Sequence, residues 1–270
     1  MTNEFTKIEP GGSLLIAWQL KDKKVVLIGG GEVAAGRIVN LLNADAKITL
    51  IAPRKGLNKE VAYRIDSGQI HEFIDREYNN EDDLKGANMV FTAIDNVEIS
   101  RHIYNVAKSQ NIPTNVADIP PNCDFYFGSI VRRGPLQILI STGGQGPRIS
   151  AKLKSIVEGA LPRSIGPAIN NVGKLRSKLR SIEPTVGGKP GAKRMKWMIK
   201  VCDNYTFDEL AEMSEEDLDR ILKGYQDNEI PKRSLLDISK VLSAIKSISP
   251  TIVGMVIGSV MTYSFIGRNK

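Results

Sequence analysis

Three consecutive glycines, Gly29–Gly31, follow an apolar run and directly precede a helical pattern that opens at Glu32. With Ala34 they form the spacing Gly-x-Gly-x-x-Ala, which is typical of a strand, a turn and a helix that together receive a pyrophosphate. Gly29 permits a sharp turn, and Gly31 lets backbone N–H groups approach phosphate oxygens with no Cβ in the way. The helix start adds free N–H groups and the positive end of a dipole. The spacing predicts a dinucleotide site, although a glycine turn in another α/β protein would have the same local sequence.

A carboxylate stands at a second position suited to chemistry. Asp118 follows Asn115–Ala117 at the end of the fifth predicted strand. Ligands of open α/β sheets bind beyond the carboxyl ends of the strands. Asp118 is therefore placed to act as a general acid or base beside a nicotinamide. A strand-end aspartate that only caps the following loop would have the same sequence.

A second glycine loop contains hydroxyl groups. An apolar run is followed directly by Ser141, Thr142, Gly143 and Gly144, and Arg148 lies in the first turn of the next predicted helix. Hydroxyls, exposed N–H groups and a nearby cation indicate an anion site. A flexible connection is the alternative.

The end of the second predicted strand departs from the usual NAD pattern, which has an acidic residue there for the ribose hydroxyls. The chain instead has Pro53 and Arg54. Because Arg54 could meet a 2′-phosphate, these residues alone leave both NAD and NADP open.

The elements that must position these residues alternate between strand and helix. Five strands with helical crossovers predict a Rossmann-like, doubly wound parallel sheet. The predicted strands are Lys24–Ile28, Lys47–Ala52, Ile70–Ile74, Asn88–Ile94 and Ile112–Val116, and the predicted helices are Glu32–Leu42, Leu57–Ser67, Glu81–Lys85 and Val97–Gln110.

The pattern changes after Asp118. Two predicted strands, Asp124–Val131 and Leu136–Ser141, form a hairpin-like unit, and helices dominate from Pro147 onward. We expect an α/β fold in four segments: a dinucleotide-binding domain at 1–118, a small α+β segment with a β-hairpin at 119–150, a helical region at 151–246 and a tail at 247–270. The later predicted helices are Arg148–Gly159, Pro167–Ile182, Ala192–Cys202, Phe207–Met213, Glu215–Leu222 and Arg233–Lys246, with a loop at Glu183–Gly191 and a capping box at Thr206 and Glu209.

The charge is uneven. Residues 148–200 contain 13 Lys and Arg against two Glu, a net +11 in a chain of formal net charge +7. Such a region is suited to an anionic partner. It has no helix-turn-helix, RNA-recognition or zinc signature, so we expect a small polyanion rather than nucleic acid. A solvated basic face with no ligand is the alternative.

Composition limits the other classes of protein to which the chain could belong. Two cysteines without a Cys-x-x-Cys spacing, and only two histidines, argue against a zinc site or a disulfide scaffold, so we expect no protein metal site. The N-terminus lacks a secretory pattern, which predicts a cytoplasmic protein. The 21 uncharged residues from Ser247 to Gly267 are long enough to cross a bilayer. They leave open a membrane anchor, a buried helix or a dimer contact.

Taken together, Gln19–Ala34, Asn115–Asp118, Cys123–Ile130 and Leu136–Pro147 resemble the siroheme synthases, and more narrowly their fungal bifunctional precorrin-2 dehydrogenase/sirohydrochlorin ferrochelatase branch. The resemblance spans about residues 14–200. It implies that precorrin-2 gives up hydride to NAD, and that Fe²⁺, as a substrate, is then inserted into sirohydrochlorin. It also implies a homodimer built through Asp124–Arg148.

The same resemblance assigns roles to individual residues. Asp118 matches the family's catalytic aspartate. The positions that match the NAD site are Gly29, Gly31, Glu32, Val33, Pro53, Arg54, Thr92 and Asp95. Those that match the substrate side are Ser141, Thr142, Gly143 and Gly144, and we add Arg148. The eight carboxylates of precorrin-2 would also explain the basic region as an electrostatic funnel.

Three other functions stay open at this stage. The first is a dehydrogenase or a chelatase that retains only one of the two activities. The second is a non-catalytic NAD(P)-binding module whose basic half binds nucleic acid or acidic lipid. The third is a membrane-tethered scaffold.

Overall fold

The structure is a computed structural model that describes residue 8 and residues 10–231. Its first part is a five-stranded parallel sheet with the order β3-β2-β1-β4-β5. The elements in chain order are β1 (Lys24–Ile28), α1 (Glu32–Leu42), β2 (Lys47–Ile51), α2 (Lys59–Asp66), β3 (Glu72–Ile74), a 3₁₀ turn (Glu81–Leu84), β4 (Met89–Thr92), α3 (Val97–Ser109), β5 (Thr114–Val116) and a 3₁₀ turn (Pro120–Asn122). The predicted helix at 233–246 and the tail at 247–270 lie outside the described residues.

Helices cover both faces of the sheet, as expected for a doubly wound fold. Alternate residues of β1 point to opposite faces. Val25 and Leu27 pack with the buried side of α1 and with Val61 of α2. Val26 and Ile28 belong to the core that includes Ile103 of α3. Burial on both faces explains why β1 is apolar throughout rather than alternating.

Four strand ends coincide at one edge of this sheet. Ile28 of β1 is in register with Ile51 of β2 and with Thr92 of β4, and Thr92 is in register with Val116 of β5. The loops that follow these strands therefore begin side by side. The strand order reverses between β1 and β4, which is where such sheets bind their ligands.

A hairpin and five helices follow: β6 (Ser129–Arg133), β7 (Leu136–Ile140), α4 (Pro147–Ala160), α5 (Ile165–Ile182), α6 (Gly188–Asn204), α7 (Phe207–Glu212) and α8 (Glu215–Lys223). The predicted strand at Asp124–Val131 is wrong in its first half, because β6 begins at Ser129. Residues 124–128 are not part of a strand, and the start of this segment contacts β5 instead. Asp124 N donates to Thr114 O, and Asn115 forms an isolated antiparallel bridge with Cys123.

The helices α5–α8 enclose a core of their own. Trp197 and Tyr225 lie at its centre, at most 2% exposed, with ring centroids 5.5 Å apart in an edge-to-face contact. The predicted capping box of α7 is confirmed, since Thr206 and Glu209 each accept the other's backbone N–H. The predicted loop Glu183–Gly191 is too long, because α6 begins at Gly188. The sequence expectation treated Pro190 as part of a loop, but it lies in the first turn of α6, where a proline is tolerated.

The described residues divide into two compact units, one comprising 10–129 and 140–151 together with residue 8, and the other 130–139 and 152–231. The division into four segments expected from the sequence stays a prediction. Among the residues described, no helix is long and apolar enough to span a membrane.

Candidate functional site

The turn after β1 requires glycine at its first position. Gly29 has a φ of +111°, and a Cβ built there would lie 2.1 Å from the carbonyl oxygen of Ala93. Gly29 N donates to Ile51 O at 2.9 Å, and Ala93 N donates to Ile28 O at 2.8 Å. The loop after β4 thus packs directly against the glycine turn. A Cβ on Gly30 would meet a side-chain methyl of Leu57 at 2.2 Å.

Gly31 differs from its two neighbours. A Cβ there would meet nothing within 4 Å, so no contact with the described residues demands glycine at this position. Gly31 is the N-cap of α1 and provides no side chain to accept the first helical N–H groups. Glu32 and Val33, in the first turn, are exposed. Open space in front of uncapped N–H groups fits a pyrophosphate.

The loop after β4 places one predicted cofactor residue in the core and one at the surface. Thr92 is 2% exposed, and its buried Oγ1 has no hydrogen-bond partner within the part of the chain that is described. Asp95 is exposed, next to Asn96, whose side chain caps α3 by accepting Ile99 N at 3.0 Å. A buried hydroxyl without a partner is uncommon in native proteins.

Arg54 is held by carboxylates. Its guanidinium forms an ion pair with Asp66 at 3.1 Å, and its backbone N–H donates to Asp75 at 2.6 Å. Pro53 beside it is exposed. The acidic residue that is missing at the end of β2 is therefore replaced by carboxylates from α2 and from the segment that follows β3.

Asp118 lies two residues beyond β5, at the same edge as the glycine turn. Ala117 N donates to Thr92 O at 2.9 Å, which joins the two strand ends. Asp118 is exposed and has a φ of +59°. Aspartate tolerates this left-handed conformation better than most residues.

The segment that follows Asp118 is fixed by polar contacts with β5. Asn115, 5% exposed, donates from Nδ2 to Phe125 O at 2.8 Å. The Cys123 thiol donates to Val116 O at 3.1 Å. Asp124 accepts Thr114 N and Lys108 Nζ at 2.9 and 2.8 Å. Burial raises the pKa of the Cys123 thiol, which favours the protonated form that donates this hydrogen bond.

Sequence reasoning missed Arg37, in the middle of α1. Its guanidinium lies 3.7 Å from the centroid of the Phe127 ring and in the electrostatic field of Cys123 and Asp118. In the sequence the only signal was a cation after two alanines and a glycine, which any solvated helix face could contain.

The loop predicted to bind substrate is ordered by its own hydroxyls. Ser141 Oγ accepts Gly143 N, and Thr142 Oγ1 accepts Gly146 N, each at 3.2 Å. Gly143 and Gly144 have positive φ values of 59° and 79°. Arg148 is exposed in the first turn of α4. No hydrogen bond within the described ranges connects this loop with Asp118.

The basic region is partly neutralised within the helical unit. Lys174 pairs with Glu215 at 2.7 Å, and Lys178 pairs with Asp219 and Glu215. Asp219 and then Glu215 raise the pKa of Lys178. No group of three His, Cys, Asp or Glu side chains that could hold a metal ion occurs in the described part of the chain.

The sheet order, the glycine turn at its reversal and the carboxylate beside it define a Rossmann-like, NAD(P)-binding protein. Residues 16–129 match the family model described as putative NAD(P)-binding, 133–160 match the central model of sirohaem biosynthesis proteins, and 162–231 match their C-terminal model. The siroheme biosynthesis protein met8 of Schizosaccharomyces pombe is 46% identical over 231 residues, 86% of either chain. The chain belongs to the sirohaem biosynthesis protein family.

More distant relatives match less of their own length. The siroheme synthase of Pseudoalteromonas translucida is 37% identical over 168 residues, 62% of this chain and 34% of that protein. The chain spans about a third of such bacterial relatives. The solved structure of SirC, a precorrin-2 dehydrogenase, aligns with a TM-score of 0.57 at 18% identity, over 80% of this chain and all of that one. At this identity the likeness establishes the fold.

Proposed function

We propose that the protein oxidises precorrin-2 to sirohydrochlorin with NAD and then inserts Fe²⁺ to form sirohaem. The observation that carries the proposal is the position of Asp118. It lies in a left-handed backbone conformation beyond β5, with its strand end joined to that of β4, against which the glycine turn packs. The name of the S. pombe relative, a siroheme biosynthesis protein, supports the same pathway.

In the first reaction, Asp118 acts as a general base. Loss of a hydride and a proton converts precorrin-2 to sirohydrochlorin, and the Asp118 carboxylate takes the proton. NAD bound at the glycine turn would supply the hydride acceptor for this step. In the second reaction, entry of Fe²⁺ displaces two pyrrole protons, and the same carboxylate accepts them in turn. The macrocycle supplies four nitrogens to the metal.

The cofactor is held by the turn after β1. Gly31 and the uncapped start of α1, with Glu32 and Val33, would hold its pyrophosphate. Thr92 and Asp95 would face the nicotinamide half, and Pro53 and Arg54 the adenosine side. We infer NAD rather than NADP because the charge of Arg54 is already balanced by Asp66.

The tetrapyrrole is received by the loop containing Ser141, Thr142, Gly143, Gly144 and Arg148. Its hydroxyls already accept N–H groups of the loop. The loop therefore needs little reordering to offer its remaining N–H groups, and Arg148, to a carboxylate. In this assignment residues 1–118 hold the dinucleotide, 119–150 form the dimerisation segment, and 151–246 form the substrate side.

The test supplies the purified protein anaerobically with precorrin-2 and NAD, and separately with sirohydrochlorin and Fe²⁺ without NAD. Absorbance then follows the sirohydrochlorin and sirohaem bands. Asp118→Asn removes the base but keeps a residue that tolerates a positive φ, so we expect a loss in kcat of at least about 100-fold with NADH affinity unchanged.

Asp45→Asn is the matched control, because Asp45 is also an exposed aspartate with a positive φ, 54°, but precedes β2 at the opposite edge of the sheet. We expect it to react like the unmodified protein. Absence of both reactions in the unmodified protein would reject the function. Sirohydrochlorin formation without iron insertion would reduce the proposed function to the dehydrogenase activity alone.

We further propose that the protein is a homodimer. The helix α4 exposes Ile149, Leu153 and Ile156 at 61%, 42% and 67%. Their spacing puts them on one stripe of the helix. Tyr126 and Leu139, in or near the predicted dimerisation segment, are also exposed. Exposed apolar stripes of this kind mark protein contacts.

Light scattering after size exclusion tests the dimer. Ile156→Glu should shift the protein to a monomer, because it places a charge in an apolar interface. Lys154→Gln, about 140° away from the stripe on the same helix, should leave the dimer intact. A monomeric unmodified protein, or a dimer unaffected by Ile156→Glu, would contradict the proposal.

A further inference from the structure

The guanidinium of Arg37 stacks on an aromatic platform, the ring of Phe127, in the same compact unit as Asp118. Its guanidinium carbon lies 3.7 Å from the centroid of the Phe127 ring. Phe127 in turn packs against Phe91 of β4 and against Phe125, with ring centroids 5.5 and 6.2 Å away. Stacking of this kind holds the plane of a guanidinium while leaving its N–H groups at the rim free to donate.

Those N–H groups have no acceptor in the part of the chain that is described. Arg37 is half-buried, yet its guanidinium has no hydrogen bond and no ion pair there. Another partly buried arginine provides the contrast. Arg133 donates to the carbonyls of Glu158 and Leu161. The nitrogens of Arg37 are not among the buried polar atoms that lack a partner, so its N–H groups are open to an incoming anion.

Arg37 is coupled electrostatically to Asp118. Burial lowers the pKa of its guanidinium, and the fields of Cys123 and Asp118 raise it. A guanidinium keeps its proton in proteins, so the group stays a cation. Arg37 belongs to α1, the helix that starts at the glycine turn, and is coupled to the carboxylate of Asp118.

We propose that Arg37 is a substrate-anchoring residue, whose guanidinium binds one carboxylate arm of the tetrapyrrole beside Asp118. The inference rests on the proposed function and deepens it. A planar fork of N–H groups matches a carboxylate in a bidentate manner. The anchor fixes the macrocycle relative to the base and takes no proton itself, so it is a positioning residue.

The test measures binding and turnover separately. Sirohydrochlorin is titrated anaerobically by its absorbance change, NADH by its fluorescence, and kcat and KM are measured for precorrin-2. For Arg37→Gln we expect Kd for sirohydrochlorin and KM for precorrin-2 to rise at least tenfold, with Kd for NADH changed less than twofold. Arg37→Lys keeps the positive charge but lacks the planar fork of N–H groups. Its Kd for sirohydrochlorin and KM for precorrin-2 should lie between those of the unmodified protein and those of Arg37→Gln.

Two variants serve as controls. Arg101→Gln removes an exposed cation of α3 from the same unit and should leave all constants unchanged. Phe127→Leu keeps the cation and removes its platform, so its effect on sirohydrochlorin should be smaller than that of Arg37→Gln.

The outcomes separate the two proposals. If the unmodified protein neither binds nor oxidises a tetrapyrrole, the proposed function fails. If it does, and Arg37→Gln binds sirohydrochlorin equally well, the anchor is rejected. A variant that loses NADH binding instead places Arg37 at the cofactor or in the fold, and also rejects the anchor.

Discussion

A Cβ atom on Gly29 would lie 2.1 Å from the carbonyl oxygen of Ala93, whereas one on Gly31, two residues later, would meet nothing within 4 Å. Both glycines belong to the same motif, but they serve different purposes. Gly29 lets the loop after β4 pack against the turn after β1. Gly31 leaves open space at the start of α1, where we propose that the pyrophosphate binds.

Substitution by alanine should therefore separate the fold from cofactor binding. Gly29→Ala adds a clash at a positive φ and should lower the free energy of unfolding by about 3 kcal/mol or more. Gly31→Ala should leave stability within about 0.5 kcal/mol but weaken NADH binding at least about tenfold, or 1.4 kcal/mol. Thermal unfolding and NADH fluorescence titration measure the two effects. Unchanged NADH affinity in Gly31→Ala would remove the pyrophosphate from this turn.

Asn115 should couple stability to turnover, because it connects β5 with the segment that follows Asp118. Asn115→Leu keeps a similar volume but leaves the carbonyl of Phe125 without its donor. We expect a loss of about 1–3 kcal/mol in stability and a lower kcat, since the Asp118 backbone is less fixed. Chemical denaturation measures the loss of stability, and steady-state kinetics measure the fall in kcat.

Asn105→Leu, at an exposed position of α3, is the control for this substitution and should change stability by less than about 0.5 kcal/mol. If Asn115→Leu were as stable and as active as the control, the hydrogen bond to Phe125 would have no part in holding the site.

Local patterns predicted the elements that hold the cofactor. The bounds of β1 and α1 agree at both ends with the sequence expectation, because an apolar run and a glycine turn are signals carried by neighbouring residues. The parallel order of the sheet also followed, since helical crossovers between strands allow few other arrangements.

The parts that sequence reasoning missed depend on contacts distant in the chain. Phe125 and Phe127 alternate as in a strand, yet they are placed by Asn115 and Phe91 rather than by a ladder. Arg37 has no local feature that separates it from a solvated helix residue. Its role depends on Phe127, which lies 90 residues away and meets it only in the folded chain.

Stability should depend on pH through Asp83. Hydrogen bonds from Arg76, at 2.6 and 2.9 Å, hold the pKa of this carboxyl below its usual value. The carboxylate therefore stabilises the fold above its unfolded pKa of about 4, and this stabilisation is lost as the pH falls through the lower, folded pKa. Asp83→Asn should lose about 1–2 kcal/mol at pH 7, a low value because Arg76 is partly exposed.

Melting temperatures recorded from pH 7 to pH 3 measure this dependence. The difference between Asp83→Asn and the unmodified protein should shrink below about pH 4. The control is Asp82→Asn, at an exposed neighbour whose carboxylate makes no hydrogen bond or ion pair with the described residues. It should give a small difference at every pH, and a constant difference for Asp83→Asn would refute the linkage.

Cofactor choice should depend on the ion pair between Arg54 and Asp66. A 2′-phosphate would need the guanidinium that Asp66 now neutralises at 3.1 Å, and Asp75 adds a second negative charge at the Arg54 backbone. Asp66→Ala should therefore improve kcat/KM for NADP about two- to fivefold, a gain of the size expected for an exposed ion pair. The double variant Arg54→Ala with Asp66→Ala should show no such gain, because the cation that would receive the phosphate is gone. Since both variants lack the same carboxylate, only the presence of Arg54 distinguishes them. An equal gain in both would mean that the carboxylate repels the phosphate directly and that Arg54 takes no part in the choice.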